Sequence, residues 1–236
     1  MLLYIVRHGD PDYKTDSLTP LGRRQAEAVG RRIMRARVDR IYASTMGRAL
    51  ETARPAAELL KKEIVPLDWA REIHGDVVQA DGSKISLALY PAAFTRNAAN
   101  MNIGYDDSLK ADGFRDSGLE EGYHKVIDGA RGFLAECGYV EENGIFRVER
   151  HNDERVALFC HGNMGRTLLS YLLHIPVHIM WSSFMMSHTA VSVVKFVEYD
   201  NGYAVPRCIQ FADLSHLAED GQTLAFTSTT GERTYL

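Results

Sequence analysis

The chain opens with a short run of apolar residues that ends abruptly in polar ones. Residues 2–6 (Leu-Leu-Tyr-Ile-Val) are apolar, and Arg7, His8 and Gly9 follow them directly. A continuous apolar run of this length, bounded by polar residues and glycine, is typical of a buried β-strand. In a parallel α/β sheet its last residues would lie at the carboxyl edge, where such folds bind ligands.

The same order of strand, polar turn and helix recurs twice more along the chain. Residues 39–43 predict a second strand, and an apolar stripe at helical spacing then predicts a helix over about 48–62. Residues 156–160 are all apolar and predict another strand, after which His161 leads into a helix ending near Leu173. Repeated units of this kind favour an α/β fold whose strand ends meet at one rim.

Other stretches predict single elements. Thr19 and Pro20 have the residue types of a helix N-cap and first helical position. Pro66 suggests that a strand over 64–67 lies at a sheet edge. The apolar spacing within 120–136 predicts another helix.

The second half ends in a predicted hairpin. Asp200-Asn201-Gly202 separates two strand-like runs, 189–199 and 203–211, and a short helix over 179–184 precedes them. Residues 138–153 contain a Glu-Glu-Asn-Gly turn and predict an exposed loop or small hairpin.

Composition limits the class of protein. The 236 residues, 45% hydrophobic and 25% charged, predict one soluble domain over 1–236, in which the glycine- and asparagine-rich stretch 77–117 is a cap or insertion. A net charge of −4 argues against a nucleic-acid binder. Three scattered cysteines, no signal peptide and no apolar stretch of membrane-spanning length indicate a cytoplasmic protein that contacts no membrane.

The predicted strand ends carry residues suited to phosphate. Arg7, His8, Arg48, His161 and Glu72 each follow a strand, so the α/β topology would gather them at one edge. Structural interpretations compete with this one: Arg48 could solvate its helix, Glu72 could pair with an arginine, and His161 could be a core histidine.

Five blocks of sequence, in order, resemble the histidine phosphatase superfamily, also called phosphoglycerate mutase-like. They are Arg7-His8-Gly9, Leu18 to Gly22 with Gln25-Ala26, Ser44 to Ala53, Arg71-Glu72-Ile73 and His161-Gly162-Asn163. Each block is short, but their joint order is specific. The resemblance implies a three-layer α/β/α fold with a mostly parallel, mixed central sheet and an inserted cap.

The resemblance also implies roles. His8 would attack phosphorus and form a phosphohistidine, which divides one difficult displacement into two easier ones. Arg7 and Arg48 would hold the phosphoryl oxygens with planar, charged guanidinium groups. His161 would donate to the same oxygens, and Asn163 is assigned to phosphate binding beside it.

Glu72 would be the general acid, which requires burial or a neighbouring anion to raise its pKa. The run His74-Gly75-Asp76-Val77-Val78 lacks the tryptophan that often follows this glutamate in the family, so Asp76 is the alternative acid. His188 could face the pocket, but we interpret it, like His74, as structural.

The preferred function is a phosphatase that needs neither metal nor cofactor and hydrolyses a small phosphorylated metabolite. No HxH or HExxH spacing suggests a metal site. Phosphoglycerate mutase activity is the first alternative, but Asp10 to Lys14 replaces the Trp-Asn pair common in mutase-like members. The second alternative is a non-catalytic module that binds phosphate or phosphoprotein.

Overall fold

A mixed β-sheet of eight strands forms the centre of the molecule. The computed structural model describes residues 1–78, 83–86, 98–112, 114, 117–222, 225–227 and 233–235. Within these residues the strands are β1 (Leu2–Arg7), β2 (Pro11–Asp12), β3 (Ser17–Leu18), β4 (Arg40–Ser44), β5 (Ile64–Leu67), β6 (Asp76–Val78), β7 (Lys84–Ser86), β8 (Tyr139–Glu142), β9 (Ile145–Val148), β10 (Arg155–Cys160), β11 (Val191–Glu198), β12 (Tyr203–Asp213), β13 (Ala225–Thr227) and β14 (Arg233–Tyr235).

The strand order of the central sheet is β5-β4-β10-β1-β11-β12-β9-β8. The first four strands pair in parallel, and β11, β12, β9 and β8 continue the sheet in antiparallel fashion. Val6 at the end of β1 pairs with Val191 at the start of β11. The segment that enters β11 therefore reaches the same edge as the carboxyl ends of the parallel strands.

Helices cover both faces of the sheet. They are α1 (Pro20–Arg35), α2 (Gly47–Leu60), α3 (Leu119–Glu136), α4 (Gly162–Leu173), α5 (Val177–Ser183) and α6 (Ser215–Glu219). Val29 of α1 and Ala53 of α2 pack with Phe159 of β10 in one buried cluster, whereas residues of α3 and α4 pack with Leu158 in another. Neighbouring residues of one strand thus enter different cores, as the period of a strand requires. The three-layer α/β/α prediction is confirmed.

The start of α1 has the N-cap and first helical residue that the sequence predicts. The Thr19 hydroxyl accepts a hydrogen bond from the Gly22 amide at 3.1 Å, and Pro20 is the first helical residue. Pro66 lies in β5, which is an edge strand of the sheet as predicted.

For residues 138–153, the prediction of an exposed loop is wrong, and the alternative prediction of a small hairpin is correct. Strands β8 and β9 pair around a turn in which Asn143 and Gly144 have positive φ angles. The hairpin extends the main sheet through β12, and the aromatic rings of Tyr139 and Phe146 are fully buried. Alternate inward residues in these strands supply enough apolar surface to make the hairpin part of the core.

The predicted cap can be followed only in part. Between Asp76 and Ser117 the described residues contain the β6–β7 pair and two single 3-10 turns, Asn100–Asn102 and Ser108–Lys110. Residues 79–82, 87–97, 113, 115 and 116 of the predicted cap lie outside the described residues. Within the described part of the chain, no helix is both long and apolar enough to cross a bilayer.

Candidate active site

The carboxyl edge of the parallel strands holds the predicted residues. Arg7 is the last residue of β1 and His8 follows it, while His161 follows β10 directly. Arg48 lies in the first turn of α2, just after β4, and Glu72 follows β5 by a single 3-10 turn. Because β1, β10, β4 and β5 are parallel neighbours, their ends deliver these side chains to one rim.

His8 is held in one tautomer by its own neighbour in sequence. Its Nδ1 lies 2.7 Å from the carbonyl oxygen of Gly9, which can only accept, so Nδ1 carries the proton and Nε2 keeps its lone pair. The backbone amide of His8 donates to the carbonyl of Cys160 at 2.9 Å. Burial, aided by the positive charge of Arg7, lowers the pKa of His8 well below its ordinary value near 6.5. The ring is therefore neutral at neutral pH, as a nitrogen nucleophile must be.

Two buried arginines flank this ring, and each is fixed by a different partner. Arg7 donates to the backbone carbonyl of Met186. Arg48 donates to the carboxylate of Asp16, which also accepts the Gly47 amide at 2.7 Å and so caps the start of α2. The guanidinium groups are thereby oriented before any ligand arrives.

His161 completes a cluster of hydrogen-bonding groups. Its Nε2 lies 2.8 Å from the hydroxyl of Ser44 at the end of β4, and its ring centroid lies 5.2 Å from that of His8. Burial, followed by the charges of Arg48 and Arg7, lowers the pKa of His161 well below the ordinary value. The buried Nδ1 of His161 and the Nε atoms of both arginines make no hydrogen bond to any residue that the structure describes.

Glu72 lies against the start of α4. Its carboxylate accepts hydrogen bonds from the amides of Asn163 at 3.1 Å, Met164 at 2.9 Å and its own neighbour Ile73 at 3.1 Å. These contacts place the carboxylate at the positive end of a helix dipole, whereas the predicted acid role calls for burial or a neighbouring anion. Asp76, the alternative acid, is exposed at the start of β6.

The side chain of Asn163 is engaged by the protein. Its Nδ2 donates to the carbonyl of Ile73 at 3.3 Å, and its Oδ1 accepts from Arg166 at 2.6 Å. Arg166 also donates to the backbone carbonyls of Trp181 and Gly162, and burial lowers its pKa to about 10. Arg166 was not anticipated from the sequence, because an arginine inside a helix is most often a solvated residue.

His188, interpreted from the sequence as structural although it could face the pocket, also lies in the cluster. Its ring centroid is 5.6 Å from that of His8, and its Nδ1 lies 3.5 Å from a carboxylate oxygen of Asp10. His188 precedes β11, whose antiparallel pairing with β1 brings its start to the same rim. The predicted hairpin pairs β11 with β12 only. It therefore does not indicate that the segment before β11 lies beside the end of β1.

The arrangement joins a neutral, buried imidazole with a free Nε2 lone pair to two fixed cations and a carboxylate. Such a site is suited to an anion whose central atom can be attacked by nitrogen, and a phosphoryl group has that character. Among the residues that the structure describes, no three histidine, cysteine or acidic side chains are grouped as a metal ion would require.

Comparisons with known proteins agree with this geometry. A sequence model of the histidine phosphatase superfamily (branch 1) matches residues 3–107 and 142–206. A putative phosphoserine phosphatase 2 of Hydrogenobacter thermophilus is 36% identical over 80 residues, which are 30% of this chain and 39% of that protein. A probable phosphoglycerate mutase GpmB of Proteus mirabilis is 24% identical over 92% of this chain and 95% of its own length.

A solved structure with the same fold is the phosphoserine phosphatase of Entamoeba histolytica in complex with 3-phosphoglyceric acid. It superposes with a TM-score of 0.61 at 21% sequence identity, covering 92% of this chain and 98% of that one. The family match spans most of the chain, including every strand end that forms the rim. The chain belongs to the histidine phosphatase superfamily.

Proposed function

We propose that this protein is a metal-independent phosphatase that hydrolyses a small phosphate monoester through a phosphohistidine on His8. The observation that carries the proposal is the hydrogen bond from His8 Nδ1 to the Gly9 carbonyl. It leaves Nε2 as a nucleophile in a pocket whose arginines are already fixed. Small phosphorylated metabolites are the substrate class that such a pocket suits.

In the first step, Nε2 of His8 attacks phosphorus while the bond from phosphorus to the leaving oxygen breaks. Glu72 supplies a proton to that oxygen as general acid. Arg7, Arg48 and His161 hold the three remaining phosphoryl oxygens, where negative charge is concentrated in the transition state. Positioned donors of this type typically contribute about 10²–10³ each in rate.

In the second step, water attacks the phosphohistidine and loses a proton to Glu72. The nitrogen–phosphorus bond breaks, its electron pair returns to His8, and inorganic phosphate leaves. In this proposal Asn163 acts on the phosphoryl group indirectly. Its side chain bonds Arg166, and the two residues fix the first turn of α4, whose amides hold Glu72.

Hydrolysis is preferred to the two alternatives on specific grounds. Asp10 and Asp12 lie in the segment after Gly9, and two carboxylates there disfavour a substrate with several anionic groups. The phosphoserine phosphatases among the similar proteins support the same choice, whereas the probable phosphoglycerate mutase keeps mutase activity as the second candidate. A module that only binds phosphate would need the arginines but not a tautomer-fixed His8.

The test is turnover of p-nitrophenyl phosphate and a panel of sugar and nucleoside monophosphates with a chelator present. We expect release of phosphate that the chelator does not reduce and that His8→Ala lowers by at least about 10³. His124→Ala, on the exposed face of α3, is the matched control and should retain wild-type turnover. Loss of turnover on adding chelator, or an active His8→Ala variant, would contradict the proposal.

Glu72→Gln tests the acid role separately. The variant cannot donate a carboxyl proton, so we expect roughly 10²-fold slower turnover of alkyl phosphates and a much smaller effect on p-nitrophenyl phosphate, whose leaving group needs no proton. Rates are to be measured on both substrate classes with one enzyme preparation. Equal rates for variant and wild type on alkyl phosphates would transfer the acid role to Asp76.

A further inference from the structure

His188 is an imidazole beside His8 whose side chain is only 11% exposed, and the mechanism above gives it no role. Its ring lies 5.6 Å from that of His8 between centroids, with the two planes inclined by 33°. The ring centroid of His161 lies at a comparable distance of 5.2 Å from that of His8. The proposed nucleophile therefore packs against two imidazoles, of which only His161 has been assigned to the phosphoryl group.

Asp10 lies beside Nδ1 of His188, and hydrogen bonds hold Asp10 itself in position. One carboxylate oxygen is 3.5 Å from His188 Nδ1, and the other accepts the Thr19 hydroxyl at 2.6 Å. The backbone amide of Asp10 donates to the Gln25 side chain at 2.8 Å. Thr19 is the N-cap of α1 and Gln25 lies within that helix, so the position of the carboxylate is set by an element separate from the segment before β11 that carries His188.

The charged and titratable groups around His188 have opposing effects on its proton. Among the described residues they include the carboxylate of Asp10, the ring of His8 and the guanidinium groups of Arg7 and Arg48. Burial first, and then the two arginines, lower the pKa of His188 well below its ordinary value, so the ring is neutral in the free protein. A phosphoryl dianion would offset the charges of the arginines and place negative charge beside the ring, and both changes favour protonation of His188.

We propose that His188 is a further catalytic residue, which takes up a proton as the phosphoryl dianion enters and then donates an N–H to a phosphoryl oxygen. Asp10 is its positioning residue and holds the Nδ1 side of the ring. The proton comes from solvent, and no bond of the substrate forms or breaks in this step. The inference rests on the proposed function, since it assumes that phosphate binds beside His8.

The inference is tested by calorimetric titration of the full chain with inorganic phosphate near pH 8, in buffers of different ionisation enthalpy. The dependence of the heat on the buffer counts the protons taken up per phosphate bound. We expect net uptake by the wild-type protein. His188→Gln should take up fewer protons and bind phosphate about 10-fold to 100-fold more weakly, as for the loss of a charge-assisted hydrogen bond.

Two further variants make the result specific. Asp10→Asn should also reduce proton uptake while it keeps a larger share of the phosphate affinity, because it changes the support of the ring and not the ring itself. His124→Gln, on the exposed face of α3, should match the wild type in both quantities. If His188→Gln does not fold, Asp10→Asn alone decides between the outcomes.

Unchanged proton uptake and unchanged phosphate affinity in His188→Gln, or in Asp10→Asn where only that variant folds, would overturn the inference. This failure is distinct from failure of the proposed function. An active His8→Ala variant would contradict the phosphohistidine mechanism, whereas the calorimetric result requires no turnover at all.

Discussion

Asp16 determines where the Arg48 guanidinium lies. Its carboxylate accepts from that side chain and from the Gly47 amide, so one residue both caps α2 and orients the arginine that we propose to bind phosphate. Asp16 has a φ angle of +50°, in the left-handed region that aspartate and asparagine tolerate better than most residues. The turn between β2 and β3 is thereby part of the candidate active site.

Asp16→Asn is expected to weaken substrate binding without unfolding the turn. Asparagine tolerates the same backbone conformation but removes the negative charge that Arg48 faces, so KM should rise about threefold to tenfold, with a smaller fall in kcat. Steady-state kinetics on p-nitrophenyl phosphate measure both parameters. Asp128→Asn on α3 is the control, since its exposed carboxylate pairs with Arg131 and lies outside the candidate site. A wild-type KM in Asp16→Asn would show that Arg48 needs no such support.

At this scale the sequence identifies residues at strand ends and misses those that support them. Arg7, His8 and His161 directly follow apolar runs, so their convergence could be predicted from an α/β pattern. Asp16 and His188 reach the site through a two-residue strand and an antiparallel pairing, and neither feature has a periodic signal. Supporting residues depend on tertiary contacts that single-sequence patterns do not encode.

Close packing between α1 and the loop after β1 is the main constraint at the scale of elements. A Cβ added to Gly22 would lie 2.1 Å from the backbone oxygen of Asp10, which is far inside van der Waals contact. The same loop carries His8 and the carboxylate beside His188. The glycine is needed because the helix backbone approaches the loop backbone, and not because of its φ angle.

Gly22→Ala is therefore expected to destabilise the protein and to displace the loop. Forcing a methyl group into a packed position typically costs about 1–3 kcal/mol, which for a chain of this size lowers Tm by about 3–10 °C. Activity should fall with it, because Asp10 and His8 share the displaced segment. Thermal unfolding and turnover of p-nitrophenyl phosphate are the two measurements.

Gly132→Ala provides the comparison. Gly132 lies on the exposed side of α3, and no described heavy atom lies within 4 Å of an added Cβ. Alanine there should raise stability by about 0.5–1 kcal/mol through its helix propensity. Equal Tm values for the two variants would mean that the contact between α1 and the loop is not a constraint.

Elements with strong periodicity were predictable, and those stabilised by distant contacts were not. The apolar spacing predicts helix α3 over 120–136, and the helix runs from Leu119 to Glu136 with its apolar side buried. The β8–β9 hairpin was only one of two interpretations, because its burial depends on pairing with β12 more than fifty residues later. Local sequence does not determine the order in which the strands join the sheet.

At the scale of the whole molecule, buried histidines connect stability to pH. His216 in α6 contacts Thr189 through Nε2 and Arg32 through Nδ1, and so links the C-terminal helix to α1 and to the segment before β11. Burial, followed by the charge of Arg32, lowers its pKa from 6.5 to about 4. His216 therefore binds a proton only at a lower pH in the folded protein than in the unfolded chain.

The sign of the effect on stability follows from proton counting. Between pH 6.5 and about 4 the unfolded chain binds a proton at this histidine and the folded chain does not, so acid favours unfolding. The contribution is complete above pH 6.5 and is lost as the pH falls through this window. Urea unfolding at pH 7 and pH 5 should show lower stability at pH 5, and His216→Gln should reduce the difference. An unchanged difference in that variant would contradict the assignment.

The central claim is that His8 carries the phosphoryl group covalently, and direct trapping of that intermediate tests it. The wild-type protein is mixed with a ³²P-labelled monoester that it turns over and is quenched in base, where phosphohistidine survives and phosphoserine and phosphothreonine do not. The digested protein is then analysed by mass spectrometry. The account predicts label on the peptide that contains His8 and none in His8→Ala. Turnover without labelled protein, or label on another residue, would contradict it.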